Sequence, residues 1–491
     1  MRSLVAFAAC SLLATIPACT KEELPSAPPP EKAPTETEKP TDEPKPSDSS
    51  LVVLELGEVD VGTDVTFDIP EGVLGFNITA EGRLADFNVA RPFGIERITA
   101  PDGTIVHDDF MPSGGSLPTS LAVFDAIAAA SVPQSENAPA NLAGTWKVRF
   151  GVQGSTTAKP QLKAAVRVQS TGDGAFHGGQ LNVVFHVPEG LQINERTIDA
   201  TKAADDPSLQ ERIDIFFELT SELLGIERGE VKYQTEDASF QDLDGEREVL
   251  AGFATSKGEK DGTQALHVLL ANNIAMDGEP FAQGLAAGIP GAATVFGRSV
   301  SGIIVTMTSI PLLDATVLLH ETGHFFGLNH TTEMQGPTPD PLSDTPFCEN
   351  LSRNPDVLTA CPDRTNVMFV AGPLEAPVTL SPTQTRVYRG SPIYRALPAG
   401  SGGRTMALTR TPPKTSFERT FRISGSAVLS PVERELSLGF CGHNELDANG
   451  LVRRHGRDAA IAQLRAASAD ADLVPFMRGR ARLALKSLGI R

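Results

Sequence analysis

The sequence predicts a multidomain chain: an all-β sandwich-like domain, then an α/β (α+β) domain, then a partly helical C-terminal region. Three observations carry this. Residues 51–170 read as short alternating strands cut by turn residues. Residues 175–398 mix strands with two strongly patterned helices, and residues 399–491 end in two helical stretches. A length of 491 residues is too great for one ordinary core. Hydrophobic residues at 40% and charged residues at 21% are the proportions of a globular protein. The net charge of −19 argues against a nucleic-acid binder, which needs cations to meet phosphate.

The N-terminus comes first. Arg2 precedes an apolar run from Leu4 to Ile16, too short to span a bilayer and suited to a signal-peptide core. Ile16-Pro17-Ala18-Cys19 resembles the bacterial lipobox, apart from Pro17, and implies residues 1–19 as a lipoprotein signal with lipid carried by Cys19. Residues 20–50 hold eight prolines among Glu, Lys, Thr and Ser and should form an extended, solvated tether. The expected address is exported and membrane-anchored, in a bacterial cell envelope. Thr20, rather than aspartate, after the cysteine favours an outer-membrane or surface lipoprotein. Outside the targeting region three cysteines remain: an exported chain can pair Cys348 with Cys361 and leave Cys441 over, a pairing the spacing alone leaves open.

Within residues 51–170, Val59-Asp60-Val61 and Gly144 to Phe150 alternate, while Pro101-Asp102-Gly103 and Ser113-Gly114-Gly115 punctuate. From Gly179 the texture changes. Leu181, Val183, Phe185 and Val187 mark a strand; Asp206-Pro207 opens a helix that Gly225 closes. Further strands are expected at Val231–Thr235, Ala265–Ala271 and Gly302–Met307. The tail should hold helices at Asp458–Ala467 and Leu473–Leu488, with nine Lys/Arg against three Asp/Glu from Leu451 onward, read as solvated faces; Thr415–Leu429 reads as strand-like.

The chemistry concentrates in His320-Glu321-Thr322-Gly323-His324-Phe325-Phe326-Gly327-Leu328-Asn329-His330. On a helix, His320 and His324 project from one face one turn apart, a spacing that lets two nitrogens bind one Zn²⁺ at ~2.0–2.1 Å. Gly327 tolerates φ > 0, so the chain can leave the helix and return His330 as third ligand. Three protein ligands mark a catalytic rather than a closed structural zinc. Glu321 lies beside the first ligand and is suited to act as general base on water. Leu312, Leu313, Thr316, Leu319 and Phe326 back the helix, and Pro311 and Asp314 suit its start. The strand at 301–307 can be an exposed edge on which an extended substrate could add or simply a buried strand, and periodicity cannot separate the two.

The pattern HExxHxxGxxH, with Met368 in Thr365-Asn366-Val367-Met368 placed 38 residues after His330, is similar to the metzincin zinc peptidases. The sequence between them most resembles the pappalysin family: Thr331, Ser343-Asp344-Thr345-Pro346 before Cys348, Cys361 before the Met-turn, and Leu380-Ser381-Pro382-Thr383-Gln384 after it. The resemblance covers about residues 179–395 and implies a metzincin-like catalytic domain, an active-site helix on a mixed sheet, with Met368 as a hydrophobic floor. It implies a zinc endopeptidase that hydrolyses peptide bonds in protein or peptide substrates, with one Zn²⁺ and Glu321 as base. The alternative is a surface binding or adhesion lipoprotein whose zinc site is vestigial. Val370 stands where the family places a tyrosine, and Tyr233, Tyr388 and Tyr394 receive no catalytic role. Calcium, which the family binds, finds no support: Asp242-Leu243-Asp244-Gly245 and Asp447-Ala448-Asn449-Gly450 are acidic turns, and neither completes an EF-hand loop. His107, His177, His186, His267, His443 and His455 read as ordinary histidines.

Overall fold

A computed structural model describes residues 51–82, 93–108, 127–152, 161–193, 196–256, 265–293, 301–332, 340–349, 360–372, 378–400, 436, 448–470 and 475–490. The signal peptide, the tether, Cys19, Cys441, His443, Asp447 and the strand expected at 415–429 lie outside them.

The first eight strands are β1 (Leu51–Asp60), β2 (Asp64–Ile69), β3 (Val73–Gly82), β4 (Phe93–Thr99), β5 (Ile105–Asp108), β6 (Ile127–Val132), β7 (Gly144–Val152) and β8 (Gln161–Ser170). They form two antiparallel four-stranded sheets, ordered β1-β8-β3-β6 and β2-β7-β4-β5. Alternating residues such as Ile78, Val148, Phe150 and Val166 turn into one shared core, which is the sandwich arrangement. Trp146 is buried there, edge-on to Phe76 at 5.0 Å between ring centroids, and its Nε1 donates to the carbonyl of Leu142 at 2.7 Å.

The α/β part contains β9 (Gly179–Pro188), the short pair β10 (Gln192–Ile193) and β11 (Arg196–Thr197), α1 (Pro207–Leu224), β12 (Ile226–Glu236), β13 (Asp242–Asp244) and α2 (Glu246–Phe253). Then follow β14 (Leu266–Ala271), β15 (Asn273–Met276), β16 (Glu279–Ala282), β17 (Gly284–Ala286), β18 (Ile303–Thr306), α3 (Pro311–Phe326), α4 (Pro382–Gly390) and β19 (Arg395–Ala396). The main sheet runs β12-β9-β14-β18-β17; the first four are parallel, β17 is antiparallel, and β19 pairs with the start of β9. α1 begins as its sequence predicts, with Asp206 accepting from the amides of Ser208 and Leu209, and ends on Gly225 in the left-handed conformation. It packs with α3 on one face of the sheet, through Leu209, Ile213, Phe216 and Val317.

Several expectations need correction. The strand at 303–306 is not an edge: it is buried along its length between β14 and β17, as an unbroken Ile-Ile-Val-Thr run on an interior strand should be. The edge is β17, whose three residues carry no strand signal of their own. Asp242–Asp244 is a strand pairing with β15 rather than a turn, and Ala448-Asn449-Gly450 begins a helix. Among the described residues the tail contains the helices α5 (Ala448–His455), α6 (Arg457–Ala469) and α7 (Pro475–Ser487). Its cations are not all solvated: Arg480 is buried, and Arg482 and Lys486 pair with Glu279 and Asp277. Among the described residues no helix is long and apolar enough to cross a membrane.

Sandwich and α/β part meet along a polar seam within one compact unit, Ser49–Arg491. Gln169 donates to the carbonyl of Tyr394 at 2.6 Å, Arg167 to that of Ala293 at 2.7 Å, and Arg386 to that of Pro139 at 2.8 Å. At Gly75 the backbones come so close that a Cβ would lie 2.4 Å from the oxygen of Gly390.

Candidate metal centre

α3 carries the site, and its two ends are held differently. At the start, Pro311 occupies the first turn and no side chain caps the helix. Asp314 instead accepts from Arg212 Nε of α1 at 2.6 Å and from the Thr308 hydroxyl at 2.6 Å, with the Thr308 amide at 3.0 Å. Arg212 also donates to the carbonyls of Ser208 and Thr308, at 2.7 and 2.6 Å. Both side chains are wholly buried, so this ion pair is tolerable only because its hydrogen bonds are met. At the other end Gly327 takes φ 116°, its amide donating to the carbonyls of Gly323 and His324. That residue turns the chain and brings His330 back.

The structure brings His320, His324 and His330 together as a buried triad whose candidate ligand atoms all lie within 4.8 Å of one another. His320 Nδ1 donates to the carbonyl of Val367 at 2.5 Å, and His324 Nδ1 to that of Leu328 at 2.7 Å. Those bonds fix the tautomers and turn each Nε2 inward; the Nε2 atoms of His324 and His330 are 3.1 Å apart. Three converging imidazoles, two of them oriented by carbonyls, are the donor set of a Zn²⁺ ion, and the residues fit that metal.

Glu321 is fully buried beside the triad. The edge strand lies directly against it: a Cβ on Gly284 would stand 2.5 Å from Glu321 Cγ and 2.6 Å from its Oε1. Only glycine at 284 lets the carboxylate and the strand backbone share this space. Beneath the helix, the sulfur of Met368 fills the space that a Cβ on Gly323 would enter, at 2.4 Å. The Met-turn is tied to α4. Ser381 and Gln384 form a capping box, Gln384 exchanges hydrogen bonds with Asn366 at 2.8 and 3.2 Å, and the Asn366 carbonyl oxygen of the side chain accepts from the Met368 amide at 2.8 Å.

Two further features escaped the sequence. Asp363 Oδ2 accepts from the hydroxyls of Thr331 and Thr332, both at 2.6 Å, and so holds the segment that follows the third histidine. Burial pushes its carboxyl up, and pushes that of Asp340 up to about 7. The Cys348–Cys361 disulfide, a pairing that the sequence allows, lies beside Asp363, and the Cys348 amide donates to Thr332 Oγ1 at 3.0 Å. On the other side of the sheet from α3, Glu236 accepts from His186 Nδ1 at 2.7 Å, and His186 Nε2 meets His267 Nδ1 at 2.8 Å. Burial, then the neighbouring His186, pulls the His267 imidazole down to about 4. The tyrosines stand elsewhere: Tyr388 bonds Leu319 and packs on Phe326, Tyr394 bonds Arg389, and Tyr233 accepts from Gln210. Val370 is buried.

No family model matches the chain, and no curated protein does. Solved structures similar to it include archaemetzincin from Methanopyrus kandleri, 21% identical over 44% of this chain and 89% of that one, with a TM-score of 0.22. Another is metalloproteinase-II from Bacteroides fragilis, 18% identical over 34% of this chain, with a TM-score of 0.21; the overlap spans 53% of that protein.

Proposed function

We propose that this chain is a zinc-dependent endopeptidase of the metzincin type, pappalysin-like in its loops, exported and held at a membrane by lipid on Cys19. One observation carries the proposal: a buried carboxylate, Glu321, lies beside three imidazoles oriented for one metal and against the backbone of an open sheet edge. A closed structural site has no need of that carboxylate.

Zinc supplies Lewis acidity, which activates water near neutral pH and polarises a carbonyl. The chain's own residues do the rest. Thr306 N donates to Gln283 O and Ala287 N to Gly302 O, so the antiparallel alternation turns the N–H and C=O of Gly284 and Ala286 away from β18. An extended peptide can pair with those groups and lie across Glu321. Glu321 takes the proton from the attacking water and delivers it to the leaving amine. Burial of Glu321 keeps it from bulk water and holds its position relative to the ligands.

The test is cleavage of an unbiased peptide library by the soluble form, residues 51–491, beside Glu321→Gln, with zinc measured in both. Wild type should cleave, and the variant should keep one zinc while losing ~10²–10⁴-fold in rate. Wild type that binds zinc yet cleaves nothing would establish the surface-binding reading, a lipoprotein with a retired centre.

A further inference from the structure

Resting on the peptidase reading, we propose that the C-terminal helix α7 is a positioning element of the metal centre, acting through the β15–β16 hairpin on the edge strand β17. α7 lies along β16. Gly479, inside the helix, sits so close to the hairpin that a Cβ would be 1.8 Å from the oxygen of Pro280. Glycine weakens a helix interior, and here the close backbone approach explains its presence. Arg482 pairs with Glu279 on β16, and Lys486 Nζ lies 3.1 Å from Asp277 Oδ2 at the hairpin turn. Buried Met477 and Ala481 join the core beneath the same face.

From Pro280 the chain reaches Gly284 in four residues, through the end of β16 and a bend at Gln283, a span of at most about 13 Å. Ala282 is fixed in a small core with Leu269 and Ile304, and the carbonyl of Gln283 is held by Thr306. The strand therefore has no slack between the helix contact at Pro280 and the contact of Gly284 with Glu321. A shift of α7 away from Pro280 moves the substrate-pairing edge relative to the carboxylate that takes the proton. Residues 475–487 thus set the spacing of a site whose chemistry lies about 150 residues earlier in the chain.

The discriminating variant is Gly479→Ala in the full-length protein. The added Cβ must push α7 off Pro280, and a merely structural α7 would answer with lost stability alone, leaving kcat and exchange in β17 unchanged. The positioning role predicts that kcat falls roughly 10- to 100-fold with KM changed less than about threefold and one zinc retained. It also predicts roughly tenfold faster hydrogen exchange at the β18-bonded amides of Leu285 and Ala287. Unchanged kcat and unchanged exchange overturn the proposal. If wild type cleaves nothing but the variant still quickens exchange in β17, the mechanical link stands and the peptidase reading falls. Should Gly479→Ala fail to fold, Arg482→Met against Arg482→Lys decides: the methionine variant should show the same two effects and the lysine variant should recover them. Equal behaviour of both with wild type overturns the proposal.

Discussion

The two ends of α3 bury polar groups equally deeply and resolve them in opposite ways. At the N-terminal end, cation meets anion: Arg212 and Asp314 are closed by Thr308 and Ser208. At the C-terminal end, three imidazoles face one another, and the other ring nitrogens of His320 and His324 are held by main-chain carbonyls. The first cluster is complete within the protein. The second is arranged around a charge that the protein does not itself supply, which is what distinguishes a site from a brace.

That contrast can be broken at its strongest point first. Arg212→Met alone leaves a buried carboxylate and should cost about 3–5 kcal/mol in denaturant unfolding, whereas Arg212→Met with Asp314→Leu should recover most of it. Failure of the double variant to recover would show that the brace is more than an ion pair. The relay through Glu236, His186 and His267 offers a third case, in which one carboxylate meets a chain of two imidazoles. His267 titrates near 4 in the folded protein against an ordinary 6.5, so folding disfavours its protonated form. Stability from this group is present above about pH 6.5, falls as pH drops toward 4, and levels off below; the full change is on the order of 3 kcal/mol. Thermal unfolding of His267→Gln across that range should be flatter by that amount.

The metal end responds to mass action instead. Zinc at about 100 times its dissociation constant should add about 2.7 kcal/mol to wild type, and nothing to His324→Ala, in melts with and without chelator. An equal gain in both would place the stabilising metal elsewhere. The smallest effect belongs to the support of the Met-turn: Ser381→Ala removes half of the capping box and should cost about 1 kcal/mol.

Much of this site is legible in the sequence because it is local. The three histidines, the neighbouring carboxylate and the turning glycine fall within residues 320–330, where helical periodicity places His320, Glu321 and His324 and the glycine turn returns His330. The caps of α1 and α4 are equally local. What sequence misses are relations set by strand register. Glu236, His186 and His267 are separated by 50 and 81 residues along the chain and meet only because β12, β9 and β14 are neighbours. Gly284-Leu285-Ala286 is too short and too plain to announce an edge, and its importance comes from Glu321 opposite. Arg480 reads as one more surface cation until the hairpin packed against its helix is seen.

The bonds from Gln384 through Asn366 to the Met-turn have a consequence for transplantation. His320 takes its orientation from the Val367 carbonyl, Val367 follows Asn366, and Asn366 is matched to the same glutamine that caps α4. A graft of residues 320–330 onto another scaffold would carry every ligand and lose the ring orientation of the first. The smallest portable form of this centre is therefore two chain segments, the second reaching from Asp363 to Gln384.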